Sequence, residues 1–159
     1  AFFFARSALS DAIGEPPAEP SRAALEDLSI LLVDDEADVR SAITELLEQS
    51  GARVVALESG ERLEAELRRR RPDVLLFDIG MPGEDGYALI RRVRQLPEAA
   101  GGRTPAISLT AHARSEDRAR ALAAGFDDHL PKPIDVTTLV AAIRAHARRS
   151  HAGEDALPA

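Results

Sequence analysis

Polar residues with phosphoryl-handling chemistry fall where apolar, strand-length runs end: Asp34 and Asp35 after LLV, Asp78 after VLLF, Thr110 after AISL, and Lys132 after HLP. A carboxylate can attack phosphorus or hold a hard cation, while a hydroxyl and an ammonium can donate to phosphoryl oxygens. Three carboxylates brought into one crevice repel one another unless a cation lies among them. Mg2+ would resolve that repulsion, because it prefers oxygen ligands, keeps several waters and accepts phosphate oxygens of a substrate. Taken singly, each residue has an ordinary role: an Asp pair after a strand commonly caps a helix, Thr110 is another cap candidate, and Lys132 a solvated charge. Together, at successive strand ends, they read as a phosphoacceptor site. No glycine-rich GxxxxGK loop is present to bind a nucleotide.

Such residues meet only if the runs before them lie side by side. Strand-length apolar runs at 29–33, 53–57, 74–77, 106–109 and 128–130 alternate with helix-period segments, the pattern of stacked βα units and a parallel sheet. The first helix carries Val39, Ile43, Leu46 and Leu47 at helical spacing and ends near Gly51. The second runs over 59–70 from Ser59 as N-cap, with Leu63 and Leu67 facing in, and the third carries Leu89, Ile90 and Val93. The fourth spans 115–124 and the fifth 136–148, the latter with Leu139, Val140 and Ile143. The third strand is apolar throughout, as a strand covered on both faces should be. The class is α/β, a doubly wound sheet whose ligand crevice lies beyond the carboxyl ends of the strands.

Length and composition narrow the function. At 159 residues the chain holds one ordinary domain, expected over 28–148. Residues 1–27 read as a linker or the end of an upstream domain, proline-rich from 10 onward and preceded by Phe2 to Phe4; 149–159 read as a flexible tail. The chain begins at Ala1 without Met, which suggests a piece of a longer protein. With no cysteine there is no disulfide framework and no Cys-ligated zinc. A net charge of -7 and the absence of Trp argue against a nucleic-acid surface, and no apolar run is long enough to span a bilayer. The arginine run at 68–71 and the basic stretch at 144–149 read as solvated helix ends, where cations favour the helix dipole. His112, His146 and His151 lack metal-ligand spacing.

The runs LLVDDE (31–36), VLLFDIGMPGEDG (74–86), AISLTA (106–111) and HLPKP (129–133) resemble, in order and spacing, the receiver domain of the two-component response-regulator family. The resemblance implies a flavodoxin-like, five-stranded parallel sheet of order 2-1-3-4-5. It makes Asp78 the phosphoacceptor, receiving its phosphoryl group from a phosphohistidine on a histidine kinase or a histidine phosphotransfer domain. It implies Mg2+ held by Asp35 and Asp78 directly, by Asp34 through water, and by the backbone carbonyl of Gly80. Thr110 and Lys132 would contact the phosphoryl oxygens, and the Lys132–Pro133 bond would be cis. Gly80 and His112 would flank the path of hydrolytic water. Output would come from Thr110, from the switch position at His129, and from the face formed by helix four, strand five and helix five, which is also the expected dimer contact.

The family usually places an aromatic at the switch position; His129 is smaller and can be charged. Its place on the short fifth strand puts its side chain near helix four rather than over Asp78, as a steric switch rather than a ligand. DIGMPGEDGYALIRRVR also resembles receivers attached to sensor kinases, which with the proline-rich segment implies the C-terminal receiver of a hybrid histidine kinase: bacterial, cytoplasmic, tethered to a longer sensor, and without nucleic-acid or membrane contact of its own. Two other classes compete. A magnesium-dependent phosphatase of the haloacid-dehalogenase type also uses an aspartyl phosphate, but wants a second Asp where Gly80 stands. A pseudo-receiver serving only as an interaction scaffold would not need Asp78, Thr110 and Lys132 together.

Overall fold

The computed structural model describes residues 23–111 and 114–155, and of 148–155 the helical backbone alone. Strands and helices alternate: β1 Ser29–Val33, α1 Ala37–Gln49, β2 Arg53–Leu57, α2 Leu63–Arg70, β3 Val74–Asp78, α3 Gly86–Arg94, β4 Ala106–Thr110, α4 Ser115–Ala124, β5 Asp128–Pro131 and α5 Val136–Asp155. Short 3-10 turns at Gly60–Arg62 and Glu98–Ala100 precede α2 and β4. The strands form one five-stranded sheet in the order β2-β1-β3-β4-β5, every pair parallel. That is the doubly wound, flavodoxin-like α/β architecture expected from the sequence.

Side chains alternate across each strand, so a strand covered on both faces must be apolar at nearly every position. Ile30 and Leu32 of β1 and Val74 and Leu76 of β3 pack with Ile43 and Leu47 of α1 and Leu139 and Ile143 of α5. Leu31 and Val33, Leu75 and Phe77 turn the other way, into a cluster with Leu63 and Leu67 of α2, Leu89 and Ile90 of α3 and Ala121 of α4. The register brings the strand ends level. Val33 pairs with Phe77, Asp78 with Leu109, and Thr110 with Pro131, so Asp34, Asp78, Thr110 and Lys132 emerge along one edge.

Four details differ from the sequence reading. Residues 23–27, assigned to the linker, fold onto the domain: Leu25 is fully buried and its N–H donates to the Ser50 carbonyl at 2.8 Å. The proline-rich composition stops at Pro20, and Leu25 has apolar surface to bury; residues 1–22 lie outside the described residues. The second helix begins as a 3-10 turn capped by Ser59, whose hydroxyl accepts from the Glu61 N–H at 3.4 Å. The last helix runs to Asp155, well into the segment assigned to a frayed tail; 156–159 lie outside the described residues.

The fourth concerns Gly86, which closes the VLLFDIGMPGEDG run ahead of the third helix. It is the first residue of α3, behind the N-cap Asp85, whose carboxylate accepts from the Ala88 N–H at 2.9 Å. Close approach rather than turn geometry demands glycine there, since a Cβ would lie 2.7 Å from the Asp78 carbonyl oxygen and 2.9 Å from the Ile79 Cα. The α3 N-terminus is thereby seated directly on the backbone of Asp78. Gly86→Ala should lower stability by about 1–3 kcal/mol through overpacking against rigid backbone. Urea unfolding of the two proteins checks this, and an unchanged midpoint would contradict it.

Candidate functional site

Asp34 prolongs β1: its N–H donates to the Leu57 carbonyl at 3.1 Å, continuing the ladder to β2. Its side chain is fully buried, with Oδ1 accepting from the Glu36 N–H at 2.9 Å and Oδ2 3.3 Å from Lys132 Nζ. Asp78, also buried, ends β3; its Oδ1 accepts from the Gly80 N–H at 3.2 Å and lies 3.4 Å from the same Lys132 Nζ. Asp35 is exposed at the mouth. One carboxylate oxygen from each of Asp34, Asp35 and Asp78 lies within 4.8 Å of the others. The structure thus brings together the three acids and the lysine that the sequence singled out.

One ammonium against three carboxylates leaves the crevice anionic. Burial is the main force raising the Asp78 pKa above its ordinary value; the Gly80 N–H opposes it, Asp34 adds to it, and Lys132 opposes it. For Lys132 burial acts downward, but Asp34 and Asp78 outweigh it, and the pKa is raised. The lysine therefore stays charged while Asp78 resists ionisation, an arrangement that a further cation would relieve. An all-oxygen donor set of this kind fits a hard divalent ion. Gly80 follows in the same loop, two residues past Asp78, with its N–H on the Asp78 carboxylate.

Thr110 is buried at the end of β4, and its carbonyl accepts the Lys132 N–H at 2.6 Å, fixing the two residues to each other across the β4–β5 edge. The Lys132–Pro133 bond is cis. His129 is 6% exposed, with Nδ1 2.7 Å from Ser108 Oγ, while Nε2 is buried without a hydrogen-bond partner among the described residues. Its ring therefore lies on β4 and not on the carboxylates. Ser108 belongs to the same face of β4 as Ala106, which shares a core cluster with Ala121 of α4. On the opposite face, Asp128 ties three elements together. Its Oδ1 accepts from Arg118 Nη1 of α4 at 3.2 Å, and its Oδ2 lies 3.2 Å from His146 Nε2 of α5. His112 lies outside the described residues.

Sequence reasoning passed over two contributors. Ser108 was within reach, because a parallel register that sets Thr110 opposite Pro131 also sets Ser108 opposite His129. Arg40 was not: its Nη1 donates to the Asp34 main-chain carbonyl at 2.8 Å, a contact that no spacing rule announces.

Comparison with known proteins places this geometry among relatives. The family described as the response regulator receiver domain matches residues 30–144. The chain is 42% identical over 125 residues to the transcriptional regulatory protein CpxR of Escherichia coli K12, covering 79% of this chain and 51% of the regulator. It therefore spans about half of that relative's length. Among solved structures, a putative response regulator from Chloroflexus aurantiacus superposes with a TM-score of 0.70 at 31% identity, over 76% of this chain and 98% of the other. The receiver domain of a signal transduction histidine kinase from Syntrophus aciditrophicus gives 0.67 at 29% identity, over 76% and 90%. Among the described residues no helix is long and apolar enough to cross a membrane.

The raised Asp78 pKa carries a stability consequence. A carboxyl whose folded pKa lies above its unfolded one stabilises the fold while protonated, at acid pH, and that contribution is lost as pH rises through the folded value. Asp78→Asn, which keeps an acceptor for Gly80 and Lys132 but removes the charge, should therefore raise the thermal midpoint at pH 7, with a gain that shrinks as the pH is lowered toward 4. Differential scanning calorimetry across that range checks the sign; a lower midpoint at pH 7 would contradict it.

Proposed function

The chain belongs to the response regulator receiver domain family, phosphorylation-regulated modules of two-component signalling, and from that premise we propose that Asp78 is its phosphoacceptor, working with Mg2+, Thr110 and Lys132. The observation that carries this reading is Lys132 Nζ, set 3.3 Å from Asp34 and 3.4 Å from Asp78 at the mouth of an anionic, all-oxygen crevice. In the reaction a carboxylate oxygen of ionised Asp78 attacks phosphorus of a phosphohistidine. An O–P bond forms, the P–N bond breaks, and the imidazole departs with the electron pair and takes up a proton. Lys132 supplies fixed positive charge to the phosphoryl oxygens and lowers the cost of ionising Asp78; Thr110 supplies a hydroxyl donor. Mg2+ held by Asp35, Asp78, the Gly80 carbonyl and, through water, Asp34 would neutralise charge on the transferring group.

A histidine kinase or histidine phosphotransfer domain is the partner this chemistry requires. One relative bears on what the domain is attached to. CpxR is a transcriptional regulator, which supports an effector-linked setting; the hybrid-kinase setting expected from the sequence is not supported by such relatives. Dimerisation across α4, β5 and α5 would have to compete for Asp128, already engaged by Arg118 and His146 within the chain. His129 we assign to output: seated on Ser108, it would report changes in β4 to α4 without touching the chemistry.

Incubation with an acyl phosphate and Mg2+ should add one phosphoryl group by intact mass, and Asp78→Asn should abolish it; equal labelling of that variant would sink the assignment. Mg2+ calorimetry should show Asp35→Ala weakening binding more than Asp34→Ala, and the reverse order would invert the ligand roles. His129→Ala should hold the phosphorylation rate within about threefold while changing the phosphorylation-induced shift at α4, since packing changes away from reacting atoms leave transition-state contacts in place. Loss of phosphorylation with the fold intact would move His129 into the chemistry.

A further inference from the structure

Asp35 is the exposed member of the carboxylate set, and among the described residues no hydrogen bond or ion pair holds its side chain. Asp34 is gripped by Lys132 and Glu36, and Asp78 by Lys132 and Gly80. The direction of the Asp35 carboxylate therefore depends on its backbone. The sheet gives little help there, because the ladder contact nearest to it is the one from the Asp34 N–H to Leu57.

Arg40 supplies the missing constraint. It stands in the first turn of α1, its own N–H donating to the Glu36 carbonyl at 2.9 Å, and its side chain reaches back so that Nη1 donates to the Asp34 carbonyl at 2.8 Å. That carbonyl belongs to the peptide linking Asp34 to Asp35. The next peptide, between Asp35 and Glu36, is held by its own N–H on Asp34 Oδ1, so with Arg40 in place both peptide planes flanking Asp35 are fixed. The guanidinium also lines the cleft between α1 and the loop after β2, beside Glu58, Ser59 and Glu61. Its contact at the crevice is with a neutral carbonyl, so it leaves the carboxylate oxygens to a cation.

We propose that Arg40 is a positioning residue for the cation, acting through the aim of Asp35. The inference rests on the reading that the crevice holds Mg2+. Groups that orient metal ligands commonly change affinity by about tenfold or more when removed. The sign of the effect is diagnostic. Deleting a positive charge near a cation site strengthens cation binding on electrostatic grounds alone, so a loss of affinity on removing Arg40 is the mark of lost positioning.

The test is a double-mutant cycle read by Mg2+ calorimetry on the full chain: wild type, Arg40→Met, Asp35→Asn and the double variant, with far-UV circular dichroism and thermal midpoints to verify folding. Arg40→Met should weaken Mg2+ about tenfold in the wild-type background and by less than about twofold when Asp35 is already Asn, the non-additivity expected of groups that act through each other. Equal losses in the two backgrounds, or a gain in affinity, would overturn the role of Arg40 while leaving the Mg2+ reading in place. No Mg2+ binding by the wild type would overturn both.

Discussion

A single ammonium group holds the crevice together. Lys132 reaches Asp34, 98 residues away in the chain, and Asp78, so that strands β1, β3 and β5 are cross-linked at their carboxyl ends by charge as well as by hydrogen bonds. Asp34 is fully buried and Asp78 nearly so, and leaving one partner of a buried ion pair uncompensated costs about 3–5 kcal/mol. The lysine is thus needed for the fold to tolerate its own acids. It is also insufficient, since the cluster holds a third carboxylate, Asp35, that it does not pair. The same imbalance that costs stability prepares the site for a divalent cation and for the positive demand of a transferring phosphoryl group.

Everything else in the fold serves that juxtaposition. Parallel pairing in the order β2-β1-β3-β4-β5 puts the acid-bearing strands β1 and β3 side by side at the point where the order reverses. Two apolar layers clamp the sheet from both sides, so its strand ends have little freedom to drift. Gly86 lets the α3 N-terminus sit against the Asp78 carbonyl, and Arg92 ties the loop after β3 to the one after β2, donating to Glu84 at 2.6 Å and to the Gly60 carbonyl at 2.5 Å. A second seam lies at β5: His129 on Ser108 on one face, and Asp128 with Arg118 and His146 on the other.

The parts of this plan that depend on periodicity were legible in the sequence. β1 and β2 fall at 29–33 and 53–57 and α4 at 115–124, as their apolar runs and flanking residues indicate; the other strands extend one residue further to include Asp78, Thr110 and Pro131. Those extensions matter, because Asp78 and Thr110 are themselves the last residues of their strands, while Asp34 and Lys132 follow directly on theirs. What the sequence hid were contacts made by long side chains to main-chain carbonyls, such as Arg40 on Asp34 and Arg94 on Gly102, Thr104 and Gly125. Neither residue type nor spacing specifies a carbonyl partner. Gly86 shows the same limit: its identity was evident, but its reason, the nearness of the Asp78 backbone, exists only in three dimensions.

The central claim is that the ends of β1, β3, β4 and β5 form one cation-dependent phosphoryl site, and a backbone amide correlation spectrum of the 15N-labelled chain tests it directly. Mg2+ added alone should shift the amides of 34–36 and 78–80 along a common saturable curve. A phosphoryl donor added afterwards should extend the changes to Thr110 and Lys132. Saturable shifts scattered over the acidic surface, or none at Asp35, Asp78 and Gly80, would contradict the account.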